Sequence, residues 1–351
     1  MSILYQFLGR ASPENTIRQY SPAQSELLLC LSKRQVDNKV EELWTPLLGS
    51  VEQQIARFLS DGLIEEASPE EKFDCKFRVA DMKQLLDSHC ISAPAKGKKS
   101  ELIKKYLDTL PVETASVAVA DVRLYHATPK GKEYIEIYND EKDAGRRSME
   151  ISAMAFLMNG QINRAGERIA LYESQQIFSR GTGIDWSKGM PEPFLKTAAY
   201  LLAHNYDDLP LSENQRKEVG MLMALSVLLG ESYEQAGNRL LTLDNGEFTW
   251  AVFGNVLRTN PCCGYAASCD PDDPKAIAEL YARTHISEAS VNRDFEALES
   301  SRIGKGIRIL PANGDNCIQC HNKRHFLWSE LHEVPKLPRQ WGCQCIYAVW
   351  I

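Results

Sequence analysis

Two amphipathic segments joined by a short basic loop constrain this chain more than any other feature. Val79, Met82, Leu85 and Leu86 put an apolar stripe on one helix face over VADMKQLLDSHC. Leu102, Ile103, Tyr106 and Leu107 put the matching stripe over KSELIKKYLDTL. Neither helix can bury its stripe alone, so the two are expected to fold on each other. The loop between them supplies Gly97 for the turn, then Lys98 and Lys99. Ser100 is the expected N-cap of the second helix, with Glu101 in its first turn.

The hairpin is also a local concentration of positive charge. Between Val79 and Leu107 there are six lysines, Lys83, Lys96, Lys98, Lys99, Lys104 and Lys105, against Asp81, Asp87 and Glu101. The whole chain, by contrast, carries a net charge of -7. That sum argues against a wholly basic packaging protein, yet it leaves nucleic acid open, because phosphate responds to local basic density. A helix N-terminus with adjacent lysines suits phosphate on physical grounds: the amides and the helix dipole supply partial positive charge, and the ammoniums supply full charges.

The stretch FRVADMKQLLDSHCISAPAKGKKSELIKKYL resembles the SAP motif, a short helix–loop–helix of chromosomal and DNA-repair proteins, and spans about a tenth of the chain. The resemblance implies duplex DNA as partner, held largely through backbone and minor groove with little base specificity. It assigns contact to Lys83, Lys96, Gly97, Lys98, Lys99, Ser100, Lys104 and Lys105. One departure stands out. His89, Cys90 and Ile91 lie where the family ends its first helix on a Gly–Leu-like pair, and the loop ISAPAKGK is longer.

The flanks carry shorter resemblances. QIARFLSDGLIEEA is similar to the end of a winged-helix recognition helix and its following strand, and VRLYHATPKGKEYIEIY to the segment where such proteins often read LTPKG. Together they imply a winged helix with the hairpin inserted near its wing, and they make Lys130 and Lys132 phosphate-facing. SPEEKFDCK reads as a charged connector, ASVAVADVRLYHA as a β-branched strand, and residues 140–148 as a charged linker.

The 351 residues exceed one compact core, so two or three domains are expected. The fold class is mainly α, in five stretches. Residues 1–76 form an N-terminal helical region, 77–110 the SAP-type hairpin, and 111–148 the strand and helix that complete that domain. Residues 149–310 form a helical middle domain, and 311–351 a small zinc module. Ser21 with Pro22 opens one helix, Ser212 with Gln215 opens another that stops at Gly230, and Ser287 is expected to open a third. No apolar run approaches 18 residues and the start lacks a secretory signal pattern, so a cytosolic protein is expected, nucleoid-associated if bacterial.

Ten cysteines in a reducing compartment suggest thiols or metal ligands. CIQC and CQC are separated by 22 residues near the C-terminus. Two close pairs on opposed turns suit the four-ligand tetrahedron of zinc, so Cys317, Cys320, Cys343 and Cys345 are the expected ligands. His321, His325 and His332 lie between the pairs and remain alternatives for one position. Four thiolates would leave no open position, so this Zn2+ is expected to be structural. KLPRQWGCQCIY also resembles the tails of phage head-morphogenesis proteins, which implies a phage or mobile-element origin. Cys262, Cys263 and Cys269 with Asp270 are a weaker candidate for a second metal site, beside the favoured reading of a Pro/Gly-rich loop with incidental cysteines.

No Walker loop, G-x-S-x-G, H-E-x-x-H or Rossmann fingerprint occurs. The expected function is therefore a non-catalytic DNA-binding protein, regulatory, architectural or phage-associated. Its middle region would bind another protein or a second copy of the chain. Two alternatives stay open. One is a DNA-processing enzyme tethered by the hairpin, with Asp185, Glu192, Asp270, Asp272 and Asp273 as candidate carboxylates. The other is a virion assembly protein.

Overall fold

The computed structural model describes residues 20–92, 97–180, 183–209, 211–243, 250, 254, 269–310, 324–337, 341, 343 and 345–351. The chain is mainly helical and divides into two compact units, one within Arg10–Gly145 and the other within Arg146–Ile351. Among the described residues no helix is long and apolar enough to cross a membrane.

The first unit opens with three short helices: α1 (Pro22–Leu31), α2 (Asn38–Leu48) and α3 (Val51–Ser60). Each starts at a side-chain cap. Ser21 makes a capping box with Gln24, Asp37 accepts the Val40 N–H at 2.9 Å, and Ser50 accepts that of Gln53 at 3.2 Å. Their apolar faces meet around Leu27, Leu28, Leu31, Trp44, Ile55 and Phe58, all buried. A short strand β1 (Ile64–Glu66) follows. Its antiparallel partner β2 (Tyr125–Ala127) comes some sixty residues later, pairing Ile64 with Ala127 and Glu66 with Tyr125.

Between these strands the chain forms four helices: α4 (Pro69–Lys76), α5 (Val79–Ser88), α6 (Lys99–Thr109) and α7 (Val112–Val117). They share a separate core of Phe73, Met82, Leu86, Ile91, Leu102, Ile103, Tyr106, Ala115, Val119 and Val122. Two sequence expectations are corrected here. SPEEKFDCK is a helix, because Ser68 and Glu71 form a capping box and Phe73 buries its ring in the insert core. ASVAVADVRLYHA is a strand only at Tyr125–Ala127. Ala115, Val119 and Val122 recur at helical spacing and are all buried, so packing overrides β-branched propensity.

The word TPKG has a local structural reason. Thr128 Oγ1 accepts the Gly131 N–H at 3.1 Å and starts α8 (Pro129–Met158). A Cβ on Gly131 would lie 1.9 Å from the Leu63 carbonyl oxygen, so only glycine lets helix and chain approach so closely. Residues 140–148, expected as a linker, lie inside this helix.

The second unit packs α9 (Ile162–Ser174), α10 (Glu192–Ala203), α11 (Glu213–Leu228), α12 (Tyr233–Leu240) and α13 (Pro274–Ser301). α11 is the most enclosed, with Val219, Leu222, Met223, Ala224, Leu225 and Leu228 all in the core. Its Ser212–Gln215 capping box and its stop at Gly230 (φ 61°) are as read from the sequence. The helix expected to open at Ser287 begins thirteen residues earlier instead. Asp273 accepts the Lys275 N–H at 2.9 Å with Pro274 in the first turn, and Tyr281 and His285 on that earlier half are buried.

The tail is not a module bounded at residue 311. β3 (Gly306–Leu310) is the central strand of an antiparallel sheet, flanked by β4 (His325–Leu327) and β5 (Ile346–Trp350). Ile307, Ile309, Phe326 and Tyr347 share one core with Val291 on α13. The apolar residues of the tail are too few for a core of their own, and the last turns of α13 complete it.

Candidate nucleic-acid interface and cysteine pair

Helix α5 ends in a two-bond turn that is normally closed by glycine. The Cys90 N–H donates to the Asp87 carbonyl at 3.0 Å and the Ile91 N–H to the Leu86 carbonyl at 2.9 Å. Cys90 sits in the left-handed region at φ 58°, a conformation that usually calls for glycine. Ile91 then turns inward and is buried beside Leu86. Thus His89, Cys90 and Ile91 close the helix with both turn bonds made and an apolar residue buried. The cost falls on the backbone of Cys90. Replacing Cys90 by Gly is expected to stabilise the unit by about 0.5 to 1 kcal/mol, read as an upward shift in denaturant midpoint. An unchanged or lowered midpoint would show that the turn is unstrained.

The second helix starts one residue pair earlier than expected. Lys98 is its N-cap residue, and the Glu101 carboxylate accepts the Lys98 backbone N–H at 3.1 Å. Ser100 therefore lies within the first turn rather than capping it. Gly97 is half-buried just ahead of the cap, and Lys96 lies outside the described residues.

The expected lysines divide into two groups. Lys98 and Lys104 are exposed, at the start and along the outer face of α6. Lys99 and Lys105 are engaged. The Lys99 ammonium pairs with the Asp74 carboxylate of α4 at 3.0 Å, and Lys105 donates to the Ser92 carbonyl at 2.6 Å. Lys83 is half-buried on α5. Lys130 donates to the Asp61 carbonyl at 2.7 Å and so ties α8 to the end of α3, whereas Lys132, two residues on, is exposed. Behind this face, Tyr106 makes a 3.1 Å hydrogen bond with His89 Nε2, and burial pushes its hydroxyl above the ordinary tyrosine range.

Of the expected zinc ligands, Cys343 and Cys345 are both buried, each 3% exposed, just before β5. Both belong to the core cluster of Val291, Ile307, Ile309, Phe326, Leu337 and Tyr347. Cys317 and Cys320 lie outside the described residues, as do Cys262 and Cys263. Cys269 packs against the large helical core.

The five carboxylates weighed for an enzyme have separate local roles. Asp185 accepts the Ser187 N–H at 3.2 Å and pairs with Lys188, and Glu192 pairs with Lys196 at 2.9 Å. Asp270 accepts the Asp272 N–H at 2.9 Å, and Asp273 caps α13. The described structure does not bring them together as a metal-binding set.

A different cluster does assemble. His204, at the end of α10, meets His285 and Glu288 of α13, with ligand atoms all within 4.8 Å of one another. Sequence reasoning passed over these residues. The available signal was His285-x-x-Glu288, a spacing that puts both side chains on one helix face. Nothing in the sequence indicates His204, which is 81 positions away from His285.

No known protein family matches this chain, and no curated protein or solved structure is detectably similar to it.

Proposed function

We propose that this chain binds duplex DNA through the helical insert between β1 and β2, with little sequence preference. The observation that carries the reading is the pair of exposed lysines, Lys98 and Lys104, at the start and on the outer face of α6. The first-turn amides of that helix add the positive end of its dipole beside Lys98. A separate core under the insert holds this surface rigid, which favours backbone contact over an adaptable grip. The reading includes a winged-helix-like frame, supported by the order of three helices, a strand, the insert and the returning strand. Lys132 would extend the contact surface from that frame. Titration of the full chain against unrelated duplexes across a salt series tests it. Similar affinities with a steep salt slope are expected, and salt-independent or absent binding would overturn it.

The same reading assigns structural zinc to Cys317, Cys320, Cys343 and Cys345. Its support is the burial of Cys343 and Cys345 side by side at the entry to β5. Elemental analysis should find zinc in chain made without chelator, and Cys343→Ser should remove one equivalent. Equal zinc content in the parent and the variant would discard the site.

A further inference from the structure

Helix α13 carries a buried imidazole whose two ring nitrogens have no hydrogen-bond partner. His285 is only 7% exposed, and Nδ1 and Nε2 are both cut off from solvent. Leaving such groups unmet costs roughly 1 to 3 kcal/mol, so native structures rarely tolerate one without a purpose. The ring is walled by Tyr281 at 4.4 Å, His204 at 4.9 Å, Tyr206 at 5.3 Å and Trp341 at 5.8 Å. Two carboxylates approach from either side. Glu288 Oε2 is 3.7 Å from Nδ1, and Asp208 Oδ2 is 3.7 Å from Nε2. Both are beyond hydrogen-bond range.

These distances suit ions better than protons. In a zinc tetrahedron with bonds near 2.0 to 2.1 Å, neighbouring ligand atoms lie about 3.3 to 3.5 Å apart. The His285–Glu288 separation is close to that edge, and the exposed His204 can rotate the remaining fraction. On the other side, Asp208 is held by the Tyr281 hydroxyl, which donates to it at 2.8 Å. A carboxylate in that place is the usual outer partner of a ligating histidine, fixing which nitrogen keeps its proton. The three groups open onto a cleft of about 270 Å³, which would leave a fourth position for water or a ligand atom.

We propose that His204, His285 Nδ1 and Glu288 Oε2 bind one divalent transition-metal ion, zinc by the chemistry of the set, with the fourth position open to this cleft. His285 Nε2–H then faces Asp208. Lys336, 3.2 Å from Glu288 Oε1 and itself largely exposed, occupies the other carboxylate oxygen and opposes the ion by charge. The site uses none of the cysteines and does not rest on the DNA-binding reading.

Zinc and cobalt titrations of the full chain by calorimetry and visible absorption test the proposal. Cobalt on imidazole and carboxylate gives weak d–d bands, whereas thiolate ligation adds strong charge-transfer bands, so the two sites are read separately. The parent should bind one ion without thiolate bands. His204→Ala removes an exposed side chain and should leave the fold intact by circular dichroism, yet weaken that ion at least about 100-fold; Asp208→Asn should weaken it about 10- to 100-fold. Lys336→Ala should tighten it severalfold. The proposal is overturned if His204→Ala and Glu288→Gln bind as many ions as tightly as the parent. It is equally overturned if every bound cobalt shows thiolate bands, or if only magnesium binds.

Discussion

Replacing Arg239 by Met is expected to destabilise the Arg146–Ile351 unit by about 3 to 5 kcal/mol, because it strands a buried carboxylate. Arg239 on α12 donates from Nε and Nη2 to the two oxygens of Glu231, both at 2.7 Å, and from Nη2 to Glu150 at 3.1 Å. The Glu231 side chain is 4% exposed and that of Arg239 18%. Burial works against the guanidinium charge, but the two carboxylates outweigh it and raise the Arg239 pKa. Methionine fills similar space while leaving Glu231, among the described residues, to Arg146 at 3.6 Å. Denaturant unfolding of the variant and the parent at neutral pH checks the statement. A midpoint equal to that of the parent at neutral pH would mean that water solvates the pair.

Removing Lys98 at the N-cap of α6 together with Lys104 on its outer face should have the largest functional effect. Lys98→Ala with Lys104→Ala is expected to weaken binding alike on unrelated duplexes and to make the salt slope shallower by about 2 units, roughly 0.9 for each lost phosphate contact. Lys99→Ala serves as the control. Its ammonium is already held by Asp74, so binding should change little, although the sequence alone pairs Lys99 with Lys98. A double variant that binds like the parent would show that DNA lies elsewhere. A strong effect of Lys99→Ala alone would mean that the ion pair opens on binding.

What could be read from the sequence was local. The two hairpin helices, the Ser21 cap with Pro22, the Ser212–Gln215 box and the stop at Gly230 were legible, because periodicity and capping act over three or four residues. The start of α6 was displaced by two residues, since Glu101 reaches back to Lys98 rather than to Ser100. The left-handed Cys90 was not legible, because no local preference places a cysteine there. Burial of Ile91 against the second helix requires it.

Tertiary structure alone decided which charges are available and which polar groups meet. Asp74 engages Lys99 from 25 positions away, and Asp61 engages Lys130 from 69. A count of lysines along the chain cannot see such pairings, because charge adds locally only after the helices have packed. β3 lies before the cysteine-rich tail in sequence yet becomes the centre of its sheet, since β4 and β5 each need a partner for their backbone groups. His285 and Glu288 share a helix face by sequence spacing alone. The packing of α10 on α13 brings His204 to them and removes His285 from water, and that burial turns an ordinary helical pair into a candidate ion site.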